Sequence, residues 1–400
     1  MKLRQFIIAL AIMLASIEAG QTSNATFATE TFDQTNKVTL VRTPNNGLQP
    51  QAVMDERGAM HLIYLAGDPS ACDVFYVRRD AGKKAFSAPL RVNRQPGSAV
   101  AVGTMRGAHI AIGKNGRVHV AWNGSNKADA RGPQNSEPML YARMNDADTA
   151  FEAERNLMQV SRALDGGGSV AADKSGNVYV VWHGGTEQKG EQYRRVWLAR
   201  STDEGKTFAS EVAVDSRDVS GKQTGACSCC GMRAFIDGRG MLSLLYRTAT
   251  DGTERGMFLL ASTDQGKTFR GERLDNWYLT TCPMSTVTMT GAQDNLAAWE
   301  NDGQVFFAAL NSRTTQKTSP VAAPDPTGKR KHPAIATNAD GETMLVWTEG
   351  TAWKKGGSLA WQVFDHEGKP TSEKGSSPDV PVWGLATAIA EANGNFTIIY

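Results

Sequence analysis

The chain has 400 residues, with 43 Lys and Arg against 41 Asp and Glu. That near-neutral balance excludes the one-sided positive field on which nucleic-acid binding rests. Its 40 Gly, 9 Trp and many short Val/Ile/Thr-rich runs point to an all-β chain with frequent tight turns rather than to long helices.

Residues 1–20 read as a secretory signal peptide. Lys2 and Arg4 make a basic start, Phe6 to Ala15 is an apolar run too short to span a bilayer, and small residues follow at Ala15, Ser16, Ala19 and Gly20. No later run approaches membrane length, so the mature chain, residues 21–400, is expected to be soluble and exported, with no transmembrane segment. Residues 25–33 and Lys37 to Val41 read as two strands.

From there a unit repeats. A short strand ending in an aromatic recurs at Tyr64, Trp122, Trp182, Tyr246, Trp299, Trp347 and Tyr400. Six of the seven carry a glycine six residues earlier: Gly58, Gly116, Gly176, Gly240, Gly341 and Gly394. Each glycine sits in a turn-like cluster preceded by another apolar run, so each unit opens strand, tight turn, strand. Third strands follow, as at Val74 to Val77 and Leu359 to Val363, and fourth strands at Leu90 to Val92 and Glu211 to Val214. Four antiparallel strands at a period near 50 residues predict propeller blades. The last unit stops after two strands at Tyr400. The N-terminal pair supplies the missing third and fourth, closing the ring and hiding two sheet edges.

Two turns inside this repeat are nearly identical: Ser201, Asp203, Gly205, Thr207 and Phe208, then Ser262, Asp264, Gly266, Thr268 and Phe269. In such a turn the Asp accepts backbone N–H groups, Gly supplies a positive φ, and Ser and Thr add side-chain bonds to the backbone. These segments resemble the Asp boxes, or BNR repeats, of the sialidase-like β-propellers. The resemblance implies a scaffold role for the box, as the turn between third and fourth strands on the face away from the active site. It also implies glycan binding or exoglycosidase activity. The aromatics count seven blades. Six is usual for sialidases and stands as the alternative.

The opposite face is formed by starts of first strands and ends of second strands. Candidates there are Asp68, Asp73, Arg106, His109, Asn123, His183, Arg233, Arg247, Glu300, His332 and Glu349. Arginine, histidine and carboxylates around a channel suit an extracellular glycan or another small anionic ligand. They also suit a merely solvated rim. Of the family's catalytic set, Asp68 matches the acid position. Where an Arg-Ile-Pro motif opens blade one in that family, this chain reads Leu48-Gln49-Pro50, so the arginine is missing. Arg106, Arg233 and Arg247 offer a different anion clamp, with Glu300 nearby, and His183, His332 and Glu349 are candidate ligand contacts.

Five cysteines remain: Cys72, Cys227, Cys229, Cys230 and Cys282. The C-x-C-C segment opens blade four and Cys282-Pro283 opens blade five, so the last four are expected to cluster. The pattern resembles a group of exported, largely uncharacterised Asp-box proteins. An odd number leaves at least one thiol unpaired. Cys282 joined to the C-x-C-C segment by a disulfide is one reading. A Cu or Zn site at Cys227, Cys229, Cys230 and Cys282, helped by Met232, Met284 or His332, is the other. No cofactor is required by the glycan reading. Three functions stay open: glycosidase-like enzyme, binding propeller without catalysis, and metal or redox protein.

Overall fold

A computed structural model of the protein describes residues 31–34, 37–103, 107–291, 295–310, 317–325 and 329–400. The predicted signal peptide and residues 25–30 lie outside them. Seven four-stranded sheets stand in a ring. Blade one runs Leu48–Met54, Met60–Asp68, Ala71–Arg79 and Leu90–Arg91. The first strands of the other blades are His109–Ile112, Ser169–Ala172, Arg233–Ile236, Thr288–Gly291, Arg330–Thr337 and Thr387–Ala390. Each first strand touches those of both neighbours, and the last touches the first, so these strands wall a central channel.

The second strands show why their sequences are apolar without alternation. Val178–Gly184 is buried throughout because it lies between two blades. Val178, Val180 and Trp182 pack on blade two, while Tyr179 and Val181 pack on blade four. The seven repeat aromatics all lie in these inter-blade layers, each facing the preceding blade. The six repeat glycines all have positive φ, between 74° and 95°. That is the conformation glycine adopts without a Cβ penalty. In three of these turns an aspartate three residues earlier, Asp55, Asp173 or Asp237, accepts two backbone N–H groups and closes the bend.

Ring closure uses the N-terminal strands, with one correction to the expected arrangement. Val38–Val41 takes the third place and Thr31–Gln34 the outer fourth place, the reverse of the chain-order assignment. Val38–Val41 pairs in parallel with Phe396–Ile399, whereas the other sheets are antiparallel. The reason is direction. The segment feeding the first strand of blade one must run as a fourth strand does, and it keeps that direction while packing directly against Phe396–Ile399. Cys72 lies within the third strand of blade one, in the apolar layer.

Both of the nearly identical turns are closed by their aspartates. Asp203 accepts from the Thr207 N–H and hydroxyl at 2.9 and 2.6 Å, and Ser201 Oγ accepts the Gly205 N–H at 2.9 Å. The second box repeats this with Asp264, Thr268, Ser262 and Gly266. Phe208 and Phe269 pack into the inter-blade layers. The first box also touches the glycine turn of its own blade, through Glu204 N–H donating to the Gly176 carbonyl. It therefore sits at the end of the ring opposite the first-strand starts.

Candidate functional site

The repeat register builds one ring of side chains on the channel wall. Opposite the residue just before each blade aromatic stand Gln51, His109, Ser169, Arg233, Thr288, Ala334 and Thr387. Three of them converge. Arg233 Nη1 lies 3.0 Å from Gln51 Oε1 and 2.6 Å from His109 Nδ1, and Ser169 Oγ is 3.3 Å from the same ring nitrogen. An arginine only donates, so Nδ1 of His109 is an acceptor and its ring proton sits on Nε2. Burial and the Arg233 charge hold His109 well below the ordinary imidazole range, so the ring stays neutral. Burial also draws Arg233 down to about 10, which leaves it charged at neutral pH.

Among the described residues Arg233 has no carboxylate partner. Its Nη1 is used by neutral acceptors, and its Nε and Nη2 have no protein acceptor. The adjoining channel cavity measures about 390 Å³ and is lined largely by small apolar residues and threonines. Its described lining contains no Asp or Glu. At its rim stands Gln49, in the Leu48-Gln49-Pro50 segment that opens blade one. Its amide donates to the carbonyls of Ala101, Gly103 and Trp383, strapping the blade-one entry to its neighbours. Trp383 meets the exposed Trp353 edge to face, with centroids 6.5 Å apart.

The candidates at second-strand ends are spent differently. Asn123 donates to the carbonyls of Asp165 and Gly166, at the entry to blade three. His183 bonds the Cys230 carbonyl at 2.8 Å, at the entry to blade four, and burial keeps it neutral with a pKa of about 4. Arg247 donates to the carbonyls of Arg255 and Glu300 and lies 4.8 Å over the Trp277 ring. Glu349 accepts from Arg330 and from the Trp347 indole. Asn123, His183 and Arg247 tie each blade to the entry of the next, whereas Glu349 bonds within its own blade.

Glu300 is buried, and burial raises its carboxyl above the usual range. His332 lies 3.4 Å from the Thr286 hydroxyl and is held neutral by burial, at about 3. Asp68 sits exposed in a hairpin, where the Ser70 N–H and hydroxyl hold it below the usual carboxylate range. That is the wrong direction for a general acid at neutral pH. Asp73 accepts from Asn93 and Gly97, and Arg106 lies outside the described residues.

The cysteines form the second constellation. Cys229 and Cys282 are joined by a disulfide across the blade four–five boundary, with Cα atoms 6.3 Å apart. Cys227 and Cys230 are buried thiols, their sulfurs 3.3 Å apart, and Cys227 Sγ is 3.7 Å from Cys229 Sγ. The Cys227 S–H donates to Cys230, which raises the Cys227 thiol. Burial works against ionisation of Cys230, but that bond and the Arg247 charge together lower it. Glu191 stands beside them, bonded to the Ser228 N–H and paired with Arg255 at 2.5 Å. The sulfurs of Cys227, Cys229 and Cys230 lie close enough together to hold a metal, as do Glu191, Cys227 and Cys282. The disulfide withdraws two of the four predicted ligands, and His332 joins neither group. Cys72 is far from this in sequence and packing, a core thiol that burial pushes up to about 12.

The sequence reading missed Gln51, Ser169, Glu191, Arg255 and the two rim tryptophans. For the channel ring a signal existed. Gln51, His109, Ser169, Arg233, Ala334 and Thr387 each stand thirteen residues before their blade aromatic. Only blade five departs, its first turn being shorter.

No protein-family model and no curated protein matches the chain. Solved structures match at low identity. The NanB sialidase of Streptococcus pneumoniae is similar over 82% of this chain and 68% of its own, at 10% identity and TM-score 0.52. The Hadza microbial sialidase Hz136 covers 76% of this chain, which spans 64% of that one, at 12% identity and TM-score 0.50. A protein of unknown function from Dyadobacter fermentans covers 76% of this chain and 90% of its own, at 14% identity and TM-score 0.50. At these identities the likeness is one of fold.

Proposed function

We propose that this protein is an exported, ligand-binding β-propeller whose channel takes a small anionic ligand, the carboxylated end of an extracellular glycan. The observation that carries this is Arg233. Arg233 is a half-buried guanidinium on the channel wall with no carboxylate partner among the described residues, a charge that an anionic ligand would complete. Arg233 lines a cavity of about 390 Å³, within the range of small-ligand sites. The similarity to two sialidases at the level of fold fits the same reading. Export is supported by the basic and apolar N-terminal pattern and by the Cys229–Cys282 bond, which suits an oxidising compartment.

Binding is favoured over hydrolysis because glycoside cleavage needs either two carboxyl groups beside the scissile bond or, in the sialidase variant, a tyrosine nucleophile with a carboxyl acid. The described channel lining has none. Calorimetric titration with N-acetylneuraminic acid, galacturonic acid and galactose tests the reading. The acids should bind, neutral galactose should not, and Arg233→Gln should weaken acid binding at least tenfold without unfolding the protein. Equal binding of the neutral sugar, or an unchanged Arg233→Gln variant, overturns it.

A further inference from the structure

We propose that Cys227, Cys230 and the Cys229–Cys282 disulfide form a thiol–disulfide exchange site. It holds an electron pair in the buried dithiol and passes it to an external disulfide through the exposed sulfur of Cys282. This does not depend on the channel reading, since the cysteines are not part of the channel wall.

The geometry is that of adjacent exchange partners. Cys227 Sγ stands 3.3 Å from one thiol sulfur and 3.7 Å from one sulfur of a disulfide. The four sulfurs grade from buried to open: Cys227 and Cys230 are buried, Cys229 is half-buried and Cys282 is exposed. Backbone bonds pin both ends of the segment. Cys227 N–H donates to the Arg247 carbonyl, Gly231 N–H to Ser285, and the Ser228 carbonyl accepts from Gly166. Gly225, just before it, has φ +62°, and a Cβ there would meet the Glu191–Gln192 backbone at 2.8–2.9 Å. A purely structural disulfide would not need two further thiols held against it.

The steps balance internally. Cys227 is the thiol nearest Cys229; its bond to Cys230 holds it protonated, so it gives its proton to Glu191 as its sulfur attacks Cys229, the Cys229–Cys282 bond breaks, and Cys282 leaves with the electron pair. The proton released by Cys227 ends on Cys282. A Glu191 oxygen lies within 4.8 Å of both sulfurs and is placed to carry it. Cys230 then attacks Cys227, forming Cys227–Cys230 and freeing Cys229 as a thiol. No outside oxidant is consumed, because one disulfide has replaced another. The surface dithiol Cys229/Cys282 can next reduce a low-molecular-weight or protein disulfide. Cys282 forms the mixed disulfide and Cys229 resolves it, so two thiols leave and both protein disulfides are present. Exchange of this kind needs only thiolate access to a disulfide sulfur.

The test uses the whole mature protein. Native protein held with iodoacetamide and mapped without reduction should accumulate label on Cys282 together with a Cys227–Cys230 link. Treatment with excess hydroxyethyl disulfide, then unfolding and thiol counting, should leave Cys72 alone as a free thiol. In the double variant Cys229→Ser with Cys282→Ser, oxidation of the buried pair should be at least tenfold slower. Its melting curve shows whether it is folded, and the two wild-type experiments stand whether or not it is. The proposal is overturned if Cys282 stays unlabelled with Cys229–Cys282 intact, or if the folded double variant oxidises at the wild-type rate. Stoichiometric copper or zinc that blocks exchange until chelated overturns it as well.

Discussion

Loss of the strand Val38–Val41 should open the ring, and the structure allows the size of the effect to be worked out. Val38 and Leu40 are buried in the layer against blade six, and Val41 in the layer against blade one, at 1%, 0% and 4% exposure. Fully burying a Val or Leu side chain is worth roughly 1.5–3 kcal/mol, so the three together come to about 5–9 kcal/mol, an upper value because unfolded chains are already partly compact. A typical protein has about 5–15 kcal/mol in all. The deletion also removes four parallel residue pairings with Phe396–Ile399, the carbonyl of Val41 that accepts the Tyr400 N–H, and the Lys37–Glu342 ion pair at 2.6 Å. Removing the chain up to Val41 should therefore unfold or aggregate the protein. Leu40→Ala alone should lower stability by about 2–5 kcal/mol in chemical denaturation. Thr39→Ala, at a half-buried position on the same strand, is the control and should cost far less. A deletion variant that remains monomeric with an unchanged melting temperature, or a Leu40→Ala cost below about 1 kcal/mol, would refute the closure argument.

The other predictions concern charge. Asp203→Ala or Asp264→Ala should cost about 1–2 kcal/mol each and leave acid-sugar titrations unchanged, because the boxes sit at the far end of the ring. Burial opposes the lowering of Asp203, but the Thr207 and Ser201 bonds outweigh it and bring the carboxyl to about 2. Asp264 is lowered chiefly by Thr268. Both contributions are present above the unfolded carboxylate range and are lost as pH falls from about 4 toward 2. Acid titration of stability in the Asp203→Ala variant should be flatter over that window. Glu300 runs the other way. Its carboxyl is raised by burial, so it binds its proton more tightly when folded, and stability falls as pH rises through its folded pKa. Glu300→Gln should remove that slope. An unaltered slope would show that Glu300 is not the group responsible.

The sequence by itself determined the architecture. Blade aromatics and turn glycines are local patterns whose spacing is copied from unit to unit, and the aspartate-closed turns recur in two of them. That is why seven blades, closure by the N-terminus and the cysteine cluster could be read before any coordinates. The same locality hid the rest. The order and direction of the closing strands depend on how the two ends of the chain meet, which no single unit encodes. Arg233, His109 and Gln51 are separated by up to 182 residues, and only ring closure puts them 2.6–3.0 Å apart. Residue type alone also misjudged the second-strand ends. Arg247, His183, Asn123 and Glu349 carry the chemistry of a binding site, yet their bonds go to backbone carbonyls, an indole and a neighbouring arginine of the scaffold. Arg233, of the same type as Arg247, keeps donors free because the first strand faces an open channel while the second lies between packed sheets. Whether a charge is spent on the scaffold or left for a ligand is set by which surfaces close around it, and that is a property of the assembled ring.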